Sequence, residues 1–129
     1  MLKIILVLLG GAVGTGFRYG LSSLVYSRIE SPTFPYANLI INVSGSFAIG
    51  VLAELFNERI LVSPAIRAAL LTGLLGGYTT FSSFSYETFS LIRDGEWFQA
   101  ALNAAGSVLL GLIAVWLGVR LAQSLGSGL

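Results

Sequence analysis

The sequence predicts an all-α integral membrane protein: four transmembrane helices, the third of them broken, forming a single membrane domain over residues 1–129. Three observations carry that reading. Hydrophobic residues make up 55% of the 129 and charged residues only 10%, against about 25% charged in an ordinary soluble domain. Mean hydropathy is +0.85, and a soluble domain this small cannot bury so large an apolar share. The apolar residues also fall into runs of about the 20 residues that a spanning helix needs. The sixteen glycines in so apolar a chain fit closely packed membrane helices.

The same composition excludes other classes. A net charge of +1 is too small for electrostatic nucleic-acid binding. Without Cys there are no disulfides, thiolate zinc sites or Cys nucleophiles. Without His the commonest general base and metal ligand are missing, so the chain is not expected to be an enzyme.

The first helix is expected over about 4–26. It opens like a signal peptide, with Lys3 before an apolar run, but no clear cleavage site follows and three more spans come later, so it reads as retained. Gly10 and Gly14 lead down one face to Arg18 and Ser22, and their small size permits close backbone approach. Arg18 lies about a turn and a half from the helix end. It can anchor its surroundings or, as a permanent positive charge, attract anions; anchoring is the favoured role.

The second helix is expected over about 34–56. Asn38, Asn42 and Ser46 recur every four residues, a polar line down an apolar helix. Asn42 falls near the middle, where an unpaired amide costs several kcal/mol. It must bond to a neighbouring helix or to something passing through, and the sequence leaves both open. Glu54 and Arg67 lie near helix ends, within reach of the interface.

The third span, about 64–92, starts with Ser63-Pro64, an N-cap followed by Pro at the first helical position. Its middle reads Gly76-Gly77-Tyr78-Thr79-Thr80-Phe81-Ser82-Ser83-Phe84-Ser85, and paired glycines followed by β-branched and hydroxyl residues weaken a helix. A break is expected near 76–80, the alternative being a mild kink with hydroxyls bonded back to their own helix. Non-helical backbone at membrane depth is tolerated only inside protein or against a wet cavity. A break exposes carbonyls at the end of the first half, which suit a cation. It exposes N–H groups at the start of the second, which suit an anion. Thr79, Thr80, Ser82 and Ser83 are candidate caps. Phe81 and Phe84 share a face. Two such rings usually only pack, but their positive edges among hydroxyls could favour a small anion without holding it fast. Glu87, an acid inside the span, is either a functional group or half of a structural pair.

The fourth helix is expected over about 97–121, with Asp94-Gly95 as its cap and Asn103, Ser107 and Gly111 as a second polar line. Tyr26, Phe34, Tyr36 and Trp97 fall near one membrane surface, as an aromatic belt does. An even number of spans puts both termini on one side. Lys3, Arg59, Arg67 and Arg120 lie there, and Arg28 and Arg93 on the other. That small bias allows either termini in the cytoplasm or dual topology, with copies inserted both ways. Lines from the second, third and fourth helices can converge on a track of Asn42, Thr80, Phe81, Ser83, Phe84 and Ser107, with Glu87 as its single acid. Rich in donors and poor in charge, it suits a small, strongly hydrogen-bonding anion.

The run Gly73-Leu74-Leu75-Gly76-Gly77-Tyr78-Thr79-Thr80-Phe81-Ser82-Ser83-Phe84-Ser85-Tyr86-Glu87 closely resembles the signature of the Fluc/CrcB family of fluoride channels. Gly10-Gly11-Ala12-Val13-Gly14 leading to Arg18-Tyr19, and Asn42-Val43-Ser44-Gly45-Ser46-Phe47, resemble that family's first and second helices. The resemblance spans essentially the whole chain in order and spacing. It implies a fluoride-selective channel that exports fluoride passively across a prokaryotic plasma membrane, built as an antiparallel, dual-topology homodimer. Asn42, Phe81 and Phe84 fall on the pore-lining Asn and the paired Phe, which come from different subunits at each pathway. Gly76 and Thr79 match the positions whose backbone carbonyls hold a structural sodium ion on the dimer axis. Glu87 matches an acid of the ion path, and Ser107 a hydroxyl of the fourth-helix track. Asn103 and Gly111 depart from the Tyr and Ser that better-known members carry.

Two other classes share this size and hydropathy. A small four-helix multidrug or guanidinium exporter relies on an acid in its first helix, where this chain has Gly14 and Arg18 and no Asp or Glu. A non-transporting scaffold subunit would use its polar lines only as clasps between helices.

Overall fold

The computed structural model describes residues 1–127, and the described chain is helical throughout, with short connections. Helix α1 (Leu2–Arg28) is followed by α2 (Tyr36–Glu58). The third crossing is assembled from α3 (Pro64–Ala68), a π-helical segment (Ala69–Leu75), α4 (Gly76–Tyr78) and α5 (Phe81–Arg93). Helix α6 (Trp97–Gly126) is the last helix among the described residues. Three helices, α1, α2 and α6, are each long and apolar enough to cross a membrane. The two pieces of the third crossing, Pro64–Tyr78 and Phe81–Arg93, each measure only about 20 Å at 1.5 Å per residue, short of the roughly 30 Å hydrocarbon core. Neither spans alone.

The helix ends follow local chemistry. Ser63 caps α3, its hydroxyl accepting from the Ile66 amide at 3.2 Å with Pro64 next in line. Between α1 and α2 the chain turns at Ser31, with φ of 45°, and passes Pro32 and Pro35. Pro35 is the residue before α2, so Phe34 lies outside the helix, buried, its ring 5.0 Å from that of Tyr36. Asp94-Gly95 closes α5 instead of opening α6. Asp94 is the C-cap residue and Gly95 takes φ of 80°, a conformation that favours glycine. Glu96 precedes α6 and makes no side-chain cap bond.

Packing sorts the helices into pairs. α1 lies along α3, the π segment and α4, while α2 lies along α6, and α5 rests mainly on α6. Both long contacts are made through glycine. A Cβ on Gly10 or Gly14 would overlap the backbone of Ala69 or Leu74, and one on Gly77 would overlap Gly11. On the other pair, a Cβ on Gly50 would strike Val115 and one on Gly118 would strike Phe47. Backbones this close gain van der Waals contact, the main attraction left between helices that lipid solvates equally well.

This packing explains where the third crossing is interrupted. Gly76 and Gly77 remain helical, and the extended residues are Thr79 (φ −85°, ψ 160°) and Thr80 (φ −152°, ψ 118°). Gly77 serves the contact with α1. The β-branched threonines, which hold extended backbone readily, supply the interruption. The π segment, a widened stretch of the kind often found at functional sites, lies directly against the α1 glycines.

Candidate functional site

The interruption is held by α2. Asn42 Nδ2 donates to the Thr80 carbonyl at 3.1 Å, and Asn42 Oδ1 accepts from the Thr80 amide at 2.9 Å. An amide side chain matches both backbone groups of one extended residue, as a neighbouring strand would. Thr80 is buried, so this pairing satisfies groups that lipid could not. Asn42 keeps one N–H and one acceptor lone pair beyond these two bonds.

Each half-helix ends with its own chemistry. On the second half, Thr80 is the N-cap: its Oγ1 accepts from the Ser83 amide at 3.2 Å and donates to Ser83 Oγ at 3.1 Å. The amides of Phe81 and Ser82 occupy the first two positions of α5, where no intrahelical acceptor exists. On the first half, the amide and hydroxyl of Thr79 both go to the Leu75 carbonyl, each at 2.9 Å. The Thr80 amide, which would otherwise close the next turn on Gly76, goes to Asn42. The Ser83 amide, which would otherwise reach back to Thr79, goes to Thr80 Oγ1. The carbonyls of Gly76 and Thr79 therefore lose their natural helical donors and remain hard oxygen ligands, a donor set that fits sodium.

The expected site residues divide between two clefts. The first, about 390 Å³, is lined by Asn42, Thr80, Phe81, Phe84 and Ser107, and also by Gly76 and Thr79. The Phe81 and Phe84 rings meet at 5.7 Å between centroids and 44° between planes. Phe81 is 79% exposed, so most of its ring faces away from its own chain. Ser46 and Gly111 face each other across α2 and α6, a Cβ on Gly111 falling 3.5 Å from Ser46 Oγ. The second cleft, about 530 Å³, is lined by Arg18, Ser83 and Glu87 with Thr15, Ser22 and Asn38 among its walls. The Thr80–Ser83 hydroxyl pair lies between the two clefts, one partner lining each.

Glu87 is tied to α2, where Asn38 Nδ2 donates to Oε1 at 2.7 Å. Its Oε2 is buried and has no partner among the described residues. Arg18 shares the cleft without forming an ion pair with Glu87; among the described residues the ion pair is Arg93–Asp94, 3.2 Å apart and exposed.

Ser107 lines the first cleft, whereas Asn103 is 1% exposed and bonds to Thr88. Sequence reading missed Thr88 and the Ser44–Tyr78 hydroxyl pair at 2.8 Å. A readable signal existed for Thr88: four residues after Phe84, it can bond back to that carbonyl, and does so at 2.8 Å. Tyr78 gave none, because its partner lies 34 residues away.

The profile of the CrcB-like proteins (Camphor Resistance, CrcB) matches residues 5–119 of the chain. That stretch contains every residue of both clefts. The chain belongs to the CrcB-like family. A protein of Paramagnetospirillum magneticum named fluoride-specific ion channel FluC is 49% identical over 120 residues, covering 92% of this chain and 93% of its own length. Proteins of the same name from Solibacter usitatus and Geobacter sulfurreducens are 45% and 44% identical, covering 95% and 97% of this chain and 99% and 100% of their own. Together with the spanning helices, this makes the chain a multi-pass membrane protein of the CrcB-like family.

Proposed function

We propose that this CrcB-like protein is a fluoride-selective channel that lets fluoride leave the cytoplasm passively across a prokaryotic plasma membrane. One observation carries the reading: an interrupted membrane helix, clamped by Asn42, begins its second half at a cleft lined by the Phe81–Phe84 pair and Ser107. Such a site offers donors and ring edges and little full charge, so a small anion can enter and still leave. Fluoride, compact and strongly hydrogen-bonding, is the anion for which unpaired N–H and O–H donors replace most of the hydration lost. The names of the relatives support the same ion.

The working unit in this reading is an antiparallel, dual-topology homodimer. Thr15, Ser44 and Ser82 are exposed in the single chain although they lie well inside membrane-crossing segments, where polar side chains face protein or a wet cavity more readily than lipid. Gly76, beside the interruption, is exposed as well. A second copy covers these groups and adds its own Phe residues to each pathway. The Gly76 and Thr79 carbonyls of both copies would hold a structural sodium ion, whose positive charge would offset the partial charges of the bared carbonyls. Thr80, Ser83 and Glu87 lie along the path, Arg18 anchors its flank, and fluoride crosses as substrate.

The experiment is genetic. A bacterium stripped of its own fluoride exporter and expressing the chain is expected to grow at fluoride concentrations that arrest the empty-vector strain. Growth no better than the vector, with the protein present in the membrane, contradicts the proposal. Tagged termini are expected on both faces of the membrane.

A further inference from the structure

We infer that Asn103 is a positioning residue that sets the gap between Phe84 and Ser107 without touching the ion. This rests on the reading of the first cleft as the fluoride path. Asn103 does not line that cleft and is 1% exposed, yet it is bonded towards both of the cleft's walls. Its Nδ2 donates to Thr88 Oγ1 at 2.9 Å, and Thr88 Oγ1 donates to the Phe84 carbonyl at 2.8 Å. On its other side, Ser107 Oγ donates to Asn103 Oδ1 at 3.4 Å, a long bond.

The arrangement has two mechanical consequences. Helix α5 is held at its first turn by Asn42 from α2 and two turns later by Asn103 from α6, so Phe84 sits between two fixed points. A buried amide with one N–H on Thr88 keeps its oxygen towards Ser107, and the two bonds together fix the side chain's orientation. The hydroxyl of Ser107 is parked on that oxygen by a bond weak enough to release, so it turns to a passing anion at little cost. Asn103 thus sets both the position of one wall and the readiness of the other.

Efflux from liposomes tests this with the full chain. Thr88→Val keeps the shape of Thr88 and removes the hydroxyl; Thr88→Ser keeps the hydroxyl. Because a wall misplaced by a fraction of an ångström disrupts a fitted site, Thr88→Val is expected to slow fluoride release by roughly tenfold or more. Its fluoride-to-chloride ratio is also expected to fall, while Thr88→Ser stays near the wild type. Asn103→Leu, if it folds, should lose at least as much as Thr88→Val, and the double variant should lose no more than Asn103→Leu alone. A merely structural bond would lower yield or stability and leave the ion ratio unmoved. The inference is overturned if Thr88→Val releases fluoride at the wild-type rate and ratio, if Thr88→Ser is as impaired as Thr88→Val, or if the double variant's losses multiply. Silence of the wild-type chain would instead defeat the channel reading on which the inference stands.

Discussion

Asn42 and Thr80 hold one another twice, the side-chain amide taking both the carbonyl and the N–H of a residue 38 positions further along the chain. This pairing keeps a non-helical residue inside a membrane protein at the start of α5, beside the cleft that Phe81 and Phe84 line. Removing it strands two buried backbone groups, each costing about 1–3 kcal/mol. Asn42→Ala is therefore expected to lower the thermal midpoint of the purified protein and to abolish most fluoride transport. Asn42→Asp retains the acceptor for the Thr80 amide but sets a negative charge against the Thr80 carbonyl and the anion path. It is expected to fold better than Asn42→Ala and to conduct no better. Thermal unfolding and efflux measured on the same preparations separate the two effects.

The rings make a second prediction. Phe81 exposes most of its surface while its ring lies tilted against that of Phe84. Phe81→Ile preserves apolar bulk and removes the ring quadrupole that attracts an anion at its edge. Little change in stability is expected, with fluoride release reduced roughly tenfold or more if the ring edge contributes about 1.4 kcal/mol to passage. An equally fast Phe81→Ile channel would reduce the ring to packing.

Much of this is legible in the sequence. The polar lines Asn38, Asn42, Ser46 and Asn103, Ser107, Gly111 follow from i, i+4 spacing alone, because a helix carries such residues on one face. Which partner each would find was not readable. Asn42 and Asn38 both turn to the third crossing, but the first meets backbone and the second meets Glu87. That depends on how far α5 advances along α2. The sequence places the interruption near 76–80, and it lies at the far end of that stretch, at Thr79-Thr80, because Gly77 serves the contact with α1. The π segment carried no local signal, and the two clefts could not be separated from one line of residues. The role of Asp94-Gly95 was misjudged because a turn signal between two helices does not say which of them it belongs to.

The glycine contacts yield a third prediction. Gly14 faces the backbone of Leu74, which cannot swing aside as a side chain could. Gly14→Ala is expected to destabilise the protein by about 1–3 kcal/mol, the usual range for overpacking. Gly16, which meets nothing nearby, should accept alanine with no measurable change. Paired melting curves in detergent test the contrast.

The sodium proposal is checked without transport. Protein prepared in a large organic cation in place of sodium is expected to melt at a lower temperature, with recovery on adding sodium chloride and none on adding the organic chloride. The size of the shift grows with sodium in excess over its dissociation constant, about 2.7 kcal/mol at a hundredfold excess. A melting temperature indifferent to sodium would remove the ion from the account.

The central claim is that the interrupted helix forms an anion path fitted to fluoride, and it is tested most directly by purified protein in liposomes loaded with fluoride and chloride together. With one ion electrode for each halide, wild-type vesicles are predicted to empty their fluoride rapidly and keep their chloride, while Asn42→Asp vesicles keep both. Retention of fluoride by the wild type, or release of both halides at similar rates, would contradict it.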